Sequence, residues 1–293
     1  MHIRNPVEWG VDQLRSAGSA LARRAEHRHE ATVPAIRRIT VSDLGDALAR
    51  GVDDFAAFRS DVVFIVLIYP LVGLVLARLT FGYGLLPLLF PLASGFALVG
   101  PIAAVGLYEM SRRREAGLEV SWADAFGVYR SPSFGSIVLF GLLLMAIFFV
   151  WLTVAMAIYD LTLGPDQPAS AAAFVRDVFT TEMGWTMIVV GLGVGFLFAV
   201  GVLAISVVSV PLLLDRDVGL AAAIGTSLRA VLTNPGPMAV WGLIVAGGLV
   251  LGSLPLFLGL IFVMPVLGHA TWHLYRRVVV APERSETVPR PRG

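Results

Sequence analysis

The chain has 293 residues, 57% of them hydrophobic and 15% charged, whereas a soluble domain carries roughly 45–50% apolar and 25% charged residues. Surface-to-volume scaling leaves a soluble core no room for that excess, so the composition reads as an integral membrane protein. The absence of cysteine excludes disulfides, iron–sulfur clusters and thiol catalysis, and a net charge of +1 lacks the concentrated basic face that nucleic-acid phosphates require.

In chain order, residues 1–36 form an Arg- and Ala-rich arm with His27 and His29 and no sustained apolar face. The arm reads as cytoplasmic, either mobile or lying on the membrane surface against anionic headgroups. Nothing in it has the pattern of a signal peptide, since the first long apolar stretch begins near Val62. Residues 37–280 read as a membrane domain. A bilayer core of ~30 Å takes ~20 helical residues to cross, and six stretches at about 62–80, 84–109, 134–159, 184–213, 236–252 and 255–275 approach or exceed that length. Gly252-Ser253-Leu254-Pro255 reads as the tight turn between the last two. The acidic loop from about 160 to 183 carries a short helix near Ala169–Phe179. The tail, 281–293, is polar and Pro-rich and reads as disordered.

All 22 basic residues are Arg, and they fix the expected orientation. Twenty fall before the first span, in the 110–133 and 214–235 loops, or after residue 275, against Arg78 and Arg176 on the other side. The positive-inside rule then places both termini in the cytoplasm.

Three polar segments share one design. Thr40-Val41-Ser42-Asp43 opens a helix with Leu44, Leu48, Val52, Phe55 and Phe58 on one side and Asp43, Asp46, Arg50, Asp53 and Asp54 on the other. Ser121-Trp122-Ala123-Asp124 opens a shorter helix with Trp122, Phe126 and Tyr129 on one face, and Asp217 opens a third with Leu220, Ile224, Leu228 and Val231. The first two carry an N-cap with an acidic residue in the first turn. They break at Arg59-Ser60-Asp61, Arg130-Ser131-Pro132 and Thr233-Asn234-Pro235; a residue before Pro is pushed out of the α region. Too short and polar to cross, such helices are suited to lie in the interface, apolar face down.

The even-numbered spans repeat as well, with interior prolines at Pro101, Pro211 and Pro265 that free a carbonyl and bend the helix. The expected fold is all-α: six transmembrane helices as three repeats of interfacial helix plus hairpin, at about 40–110, 121–214 and 217–275. Small residues such as Gly73, Gly95, Gly100 and Gly106 permit close packing, so the units could close around a pseudo-threefold axis. Gly191-x-Gly193-x-Gly195 lies inside a span with no preceding strand, so it is no nucleotide loop.

Polar residues follow each proline within two turns: Glu109, then Asp215 and Asp217, then His269 and His273. His269 and His273 share a helix face, as two ligands of one metal or axial ligands of a haem would. With the three carboxylates at similar depth, a ligand or proton site at the cytoplasmic mouth is one reading. The other is an interfacial belt whose acids pair with Arg112–Arg114, Arg216 and Arg276–Arg277. No GxSxG, HExxH or P-loop occurs and no carboxylate pair lies deep in a span, so no enzyme and no resident cofactor is expected.

Four motifs in order resemble a family of bacterial integral membrane proteins without an assigned function: Phe96-Ala97-Leu98-Val99-Gly100-Pro101 with Gly106-Leu107-Tyr108-Glu109, Ser209 to Asp217, Asn234-Pro235-Gly236-Pro237-Met238, and Gly268-His269-Ala270-Thr271-Trp272-His273. The resemblance covers about 36–280. Some members are labelled cytochrome c oxidase subunits, which would imply an accessory or assembly role. In layout alone, the chain also resembles the membrane domain attached to some glycerophosphodiester phosphodiesterases. The expected function is a scaffold or accessory subunit of a membrane complex. Two alternatives are a carrier or binder of a small or lipidic ligand between Pro-kinked helices, and a haem- or metal-binding oxidase accessory protein. The partners implied are the bilayer and complex subunits.

Overall fold

A computed structural model describes residues 34–57, 78, 86–166, 168–254 and 258–281. The expected arm, the first span at about 62–80 and the tail therefore lie outside or almost wholly outside the described residues. What is described is helical: α1 Val41–Ala57, α2 Leu89–Ala103, α3 Val105–Glu115, a 3₁₀ helix Trp122–Arg130, α4 Phe134–Thr162, α5 Ala171–Thr180, α6 Glu182–Ser206, α7 Ser209–Asp215, α8 Leu220–Thr233, α9 Pro235–Ser253 and α10 Leu260–Val278.

Among the described residues, three helices have the length and apolarity to cross a membrane: α4, α6 continued through α7, and α9. Their apolar side chains point outward. Only 6% of the apolar window of α6–α7 is buried within the protein, and Val189, Leu192, Phe196 and Leu197 stand exposed along it. A helix apolar all round and uncovered by protein is solvated by lipid. The expected second span is instead two helices, α2 and α3, of 15 and 11 residues. The expected sixth, α10, buries Gly268, His269, Ala270, Trp272, His273, Leu274 and Tyr275 against protein. Its last two turns are too polar for a lipid-facing span.

Trp151 holds the hairpins together. It is buried between α2 and α6, its Nε1 donating to Pro91 O at 3.0 Å, and its ring packs against Gly195 and Phe198.

The two breaks lie near the expected prolines but do not coincide with them. Pro101 lies within α2, and the helix interrupts three residues later at Ala104, whose N–H still reaches Gly100 O. Before Pro211 the ladder opens at Val207–Val208. There the Ser227 hydroxyl of α8 accepts from Val208 N at 3.2 Å and donates to Ala204 O at 2.8 Å. These two groups would otherwise bond each other in an unbroken helix, so one side chain has entered the ladder. Pro265 sits inside α10, which is helical through it.

Each of the three polar segments buries one side against protein. In α1 the buried residues are Leu44, Ala47, Gly51 and Asp54, while Val52 is exposed. α1 runs antiparallel along α10. Ile36 bridges Val279, Arg277 binds Asp43 and Asp46, and Phe55 meets Phe262. A β-carbon at Gly51 would fall 2.7 Å from Ala270 N and 2.8 Å from Val266 O, so only glycine permits this approach. The second segment is 3₁₀ and buries Ala125 and Val128, leaving Phe126 and Tyr129 exposed and stacked. Threefold winding aligns residues i and i+3, which explains that pairing. The third helix starts after Gly219, not at Asp217, and buries Ala223, Thr226, Ser227 and Ala230.

Candidate functional site

The start of α1 is set by Asp43, whose Oδ2 accepts from Thr40 N at 2.8 Å and Thr40 Oγ1 at 2.9 Å. These bonds, with Arg277 nearby, hold its carboxyl below the ordinary carboxylate range. Just before α1 the chain is clamped by Asn234, which accepts from Ile39 N at 2.8 Å and donates to Arg37 O at 3.1 Å. Asn234 was expected only to break a helix; it also satisfies two backbone groups from the other end of the chain.

With α1 so fixed, Asp54 enters a buried polar chain between α1, α3 and α10. Its Oδ2 accepts from Ser111 Oγ at 2.5 Å and from His273 Nε2 at 2.8 Å, and its Oδ1 accepts from Arg114 Nη1 at 2.5 Å. Ser111 has one O–H, given to Asp54, so at the 2.8 Å contact His269 Nδ1 carries the hydrogen and donates to Ser111 Oγ. Asp54, Ser111, His269 and His273 are all buried. Helical side chains tilt towards their own N-terminus. In an antiparallel pair this carries Asp54 towards the C-terminal half of α10 and His273 down to meet it. Burial alone would raise the Asp54 carboxyl, but the His273, Ser111 and Arg114 bonds outweigh it and hold the group below its usual range.

The other expected residues lie in separate networks. Glu109 is buried and bound by Arg112 through both oxygens at 2.7 and 2.8 Å, and by Arg113 Nε at 2.8 Å. Arg113 continues to Asp124 at 2.6 Å, tying α3 to the 3₁₀ helix. Asp215 accepts from Tyr275 OH at 2.6 Å and lies 3.5 Å from Arg276. Arg276 and Trp272 Nε1 both bind Glu115, at 3.0 and 2.9 Å. Asp217 lies 3.5 Å from the Ser133 hydroxyl.

The two histidines are thus joined, but by Asp54 and Ser111 and not by Glu109, Asp215 or Asp217. Asp54 had been placed on the polar side of its helix. Its signal was the Leu44–Ala47–Gly51–Asp54 spacing, a stripe whose small residues mark a close helix approach. One nitrogen of each imidazole is engaged in this network. His269 Nδ1 and His273 Nε2 are directed at Ser111 and Asp54, and among the described residues no group of three or more His, Asp or Glu could hold a metal ion.

No curated protein and no solved structure is significantly similar to the chain. Residues 89–215, from α2 to α7, match the family described as Predicted integral membrane protein (DUF2189). That stretch contains Ser111 and Arg114 but neither α1 nor α10. With the three membrane-length helices, this similarity makes the chain an integral membrane protein built of apolar helices.

Proposed function

We propose that the chain is a non-enzymatic scaffold or accessory subunit of a complex in the bacterial inner membrane, with both termini cytoplasmic. One observation carries the reading: Asp54, Glu109 and Asp215 are engaged by the protein's own Arg, His, Ser and Tyr side chains. Catalysis and proton transfer need an ionisable group presented to a substrate or water path, whereas Asp54 ties α1 to α3 and α10, Asp215 ties α7 to α10, and Glu109 is closed off by arginines of its own helix. The exposed side of α1, with Arg50 and Asp53, is then free to meet a partner. Native mass spectrometry from nanodiscs tests this. A stoichiometric second subunit is the expected result; a chain carrying only a retained small molecule overturns it.

A second reading, a ligand carrier, is favoured by the discontinuities at Ala104 and Val207–Val208, since broken helices line substrate sites in transporters. A defined small-molecule mass retained in the same spectrum would favour it.

A further inference from the structure

A separate surface lies on α5, the ten-residue helix between α4 and α6. It has three sectors at helical spacing. Phe174 and Val178 face the protein, with Val178 buried and the Phe174 ring 6.2 Å from that of Tyr159. Arg176 and Thr180 form a polar exposed sector. Between them Val175 and Phe179 are both more than half exposed.

The apolar sector does not end with α5. Phe179 meets Trp185 edge-on at 6.4 Å, and Trp185 Nε1 donates to Phe179 O at 3.1 Å. Met183 and Trp185 are again more than half exposed, and Val189 carries the surface onto the lipid-facing side of α6. The junction is stiff. Thr181 caps α6 by accepting from Gly184 N at 2.9 Å while its hydroxyl donates to Asp177 O at 2.6 Å. A β-carbon at Gly184 would fall 2.3 Å from Val178 O, so the two helices approach as closely as backbone allows.

We infer that α5 is an interfacial anchor: Val175, Phe179 and Trp185 sit at the boundary between headgroups and acyl chains, while Arg176 and Thr180 face water. The occupant is the bilayer itself, because the patch is continuous with the uncovered apolar side of α6. An indole with its N–H spent on the last carbonyls of a helix and its ring turned outward suits that boundary. Held rigidly by the Thr181–Gly184 junction, α5 fixes how deep the α4–α6 hairpin sits. The inference rests on the membrane character of the chain and not on the scaffold reading.

The absence of cysteine makes the test direct. Val175→Cys, Phe179→Cys and Arg176→Cys are each spin-labelled in the full chain, reconstituted into phospholipid nanodiscs, and probed with oxygen, which partitions into lipid, and a water-soluble nickel chelate. A Leu142→Cys label on the exposed side of α4 supplies the oxygen-rich reference. Labels at 175 and 179 should collide more with oxygen than with nickel, and the label at 176 should show the reverse. Nickel access at 175 and 179 equal to that at 176 would put the face in water. Shielding from both reagents would mean that another segment, a second copy or a partner covers it. Either result overturns the anchor.

Discussion

Replacing Asp54 by Ala removes the acceptor shared by Ser111, Arg114 and His273, and the structure shows the three losses to be unequal. The Arg114 side chain is 42% exposed and can turn to water, so its share is strongly discounted. Ser111 keeps a partner if His269 exchanges tautomer and Nδ1 becomes the acceptor. His273 has no such recourse and retains a buried polar nitrogen, worth about 1–3 kcal/mol. The space left by the carboxylate adds a smaller cavity penalty. The sum is about 2–4 kcal/mol, below the 3–5 kcal/mol of breaking a wholly buried pair. Asp54→Asn keeps the shape and one acceptor oxygen and should cost roughly half as much. The assay is hydrogen exchange in nanodiscs. Faster exchange is expected in residues 41–57 and 266–278, with α4 and α6 unchanged, because the network joins α1 to α3 and α10 only. A cycle with His273→Ala should show coupling of about 1 kcal/mol or more. An Asp54→Ala protein within about 0.5 kcal/mol of the parent, or strict additivity with His273→Ala, would refute the reasoning.

The remaining predictions concern the same clasp and the second helix break. The Asp54 carboxyl is held below its ordinary range in the folded state. Its contribution is therefore complete above the unfolded value of about 4 and is lost as pH falls through the lower folded value. Acid unfolding followed by tryptophan fluorescence should show that limb, and Asp54→Asn should flatten it. Gly51→Val forces α1 away from Ala270 and Val266; overpacking of this kind costs about 1–3 kcal/mol, read as a lowered unfolding temperature in detergent. Ser227→Ala leaves Ala204 O and Val208 N without their bridging hydroxyl, and exchange at Val208 should rise for a loss of about 1–3 kcal/mol. Asn234→Ala uncovers Ile39 N and Arg37 O and should free residues 35–40 to exchange, leaving α6 untouched.

What the sequence shows of this fold is whatever depends on local chemistry. The apolar lengths of α4, α6 and α9 appear in the order expected, and the N-terminal starts at Thr40–Asp43 and Ser121–Asp124 form the expected cap bonds. What it hides depends on which neighbour a helix face meets. Leu44, Leu48 and Phe55 give α1 an apolar stripe, but the close contact runs through Ala47 and Gly51, turning the buried side far enough to take Asp54 in and leave Val52 out. In α8 the larger residues are again the worse guide, since Leu228 and Leu232 are exposed while Ala223, Ser227 and Ala230 are buried. In the 3₁₀ segment Phe126 and Tyr129 share an exposed face while the smaller Ala125 and Val128 are buried. The common cause is that apolar residues need not face protein where lipid is the solvent, so small residues mark the contacts.

The same physics explains why the histidines were visible as a pair while their partner was not. His269 and His273 are neighbours by helix geometry alone, four residues apart on α10. Asp54 reaches them only because Gly51 lets two backbones touch and because both side chains lean towards their own N-termini. A buried carboxylate tied to an imidazole, a hydroxyl and a guanidinium adds little net stability over an apolar contact of the same volume. It does restrict register: sliding α1 by one turn along α10 would strand Asp54 against Ala270 and Val266 and leave His273 without its acceptor. The apolar stripe of α1 would tolerate that slip, so on this argument the polar chain specifies which of several similar packings the two helices adopt. The Asp54–His273 cycle measures that discrimination directly. If Asp54→Leu proves more stable than the parent yet yields two exchange populations in α1, the network's contribution lies in specifying register.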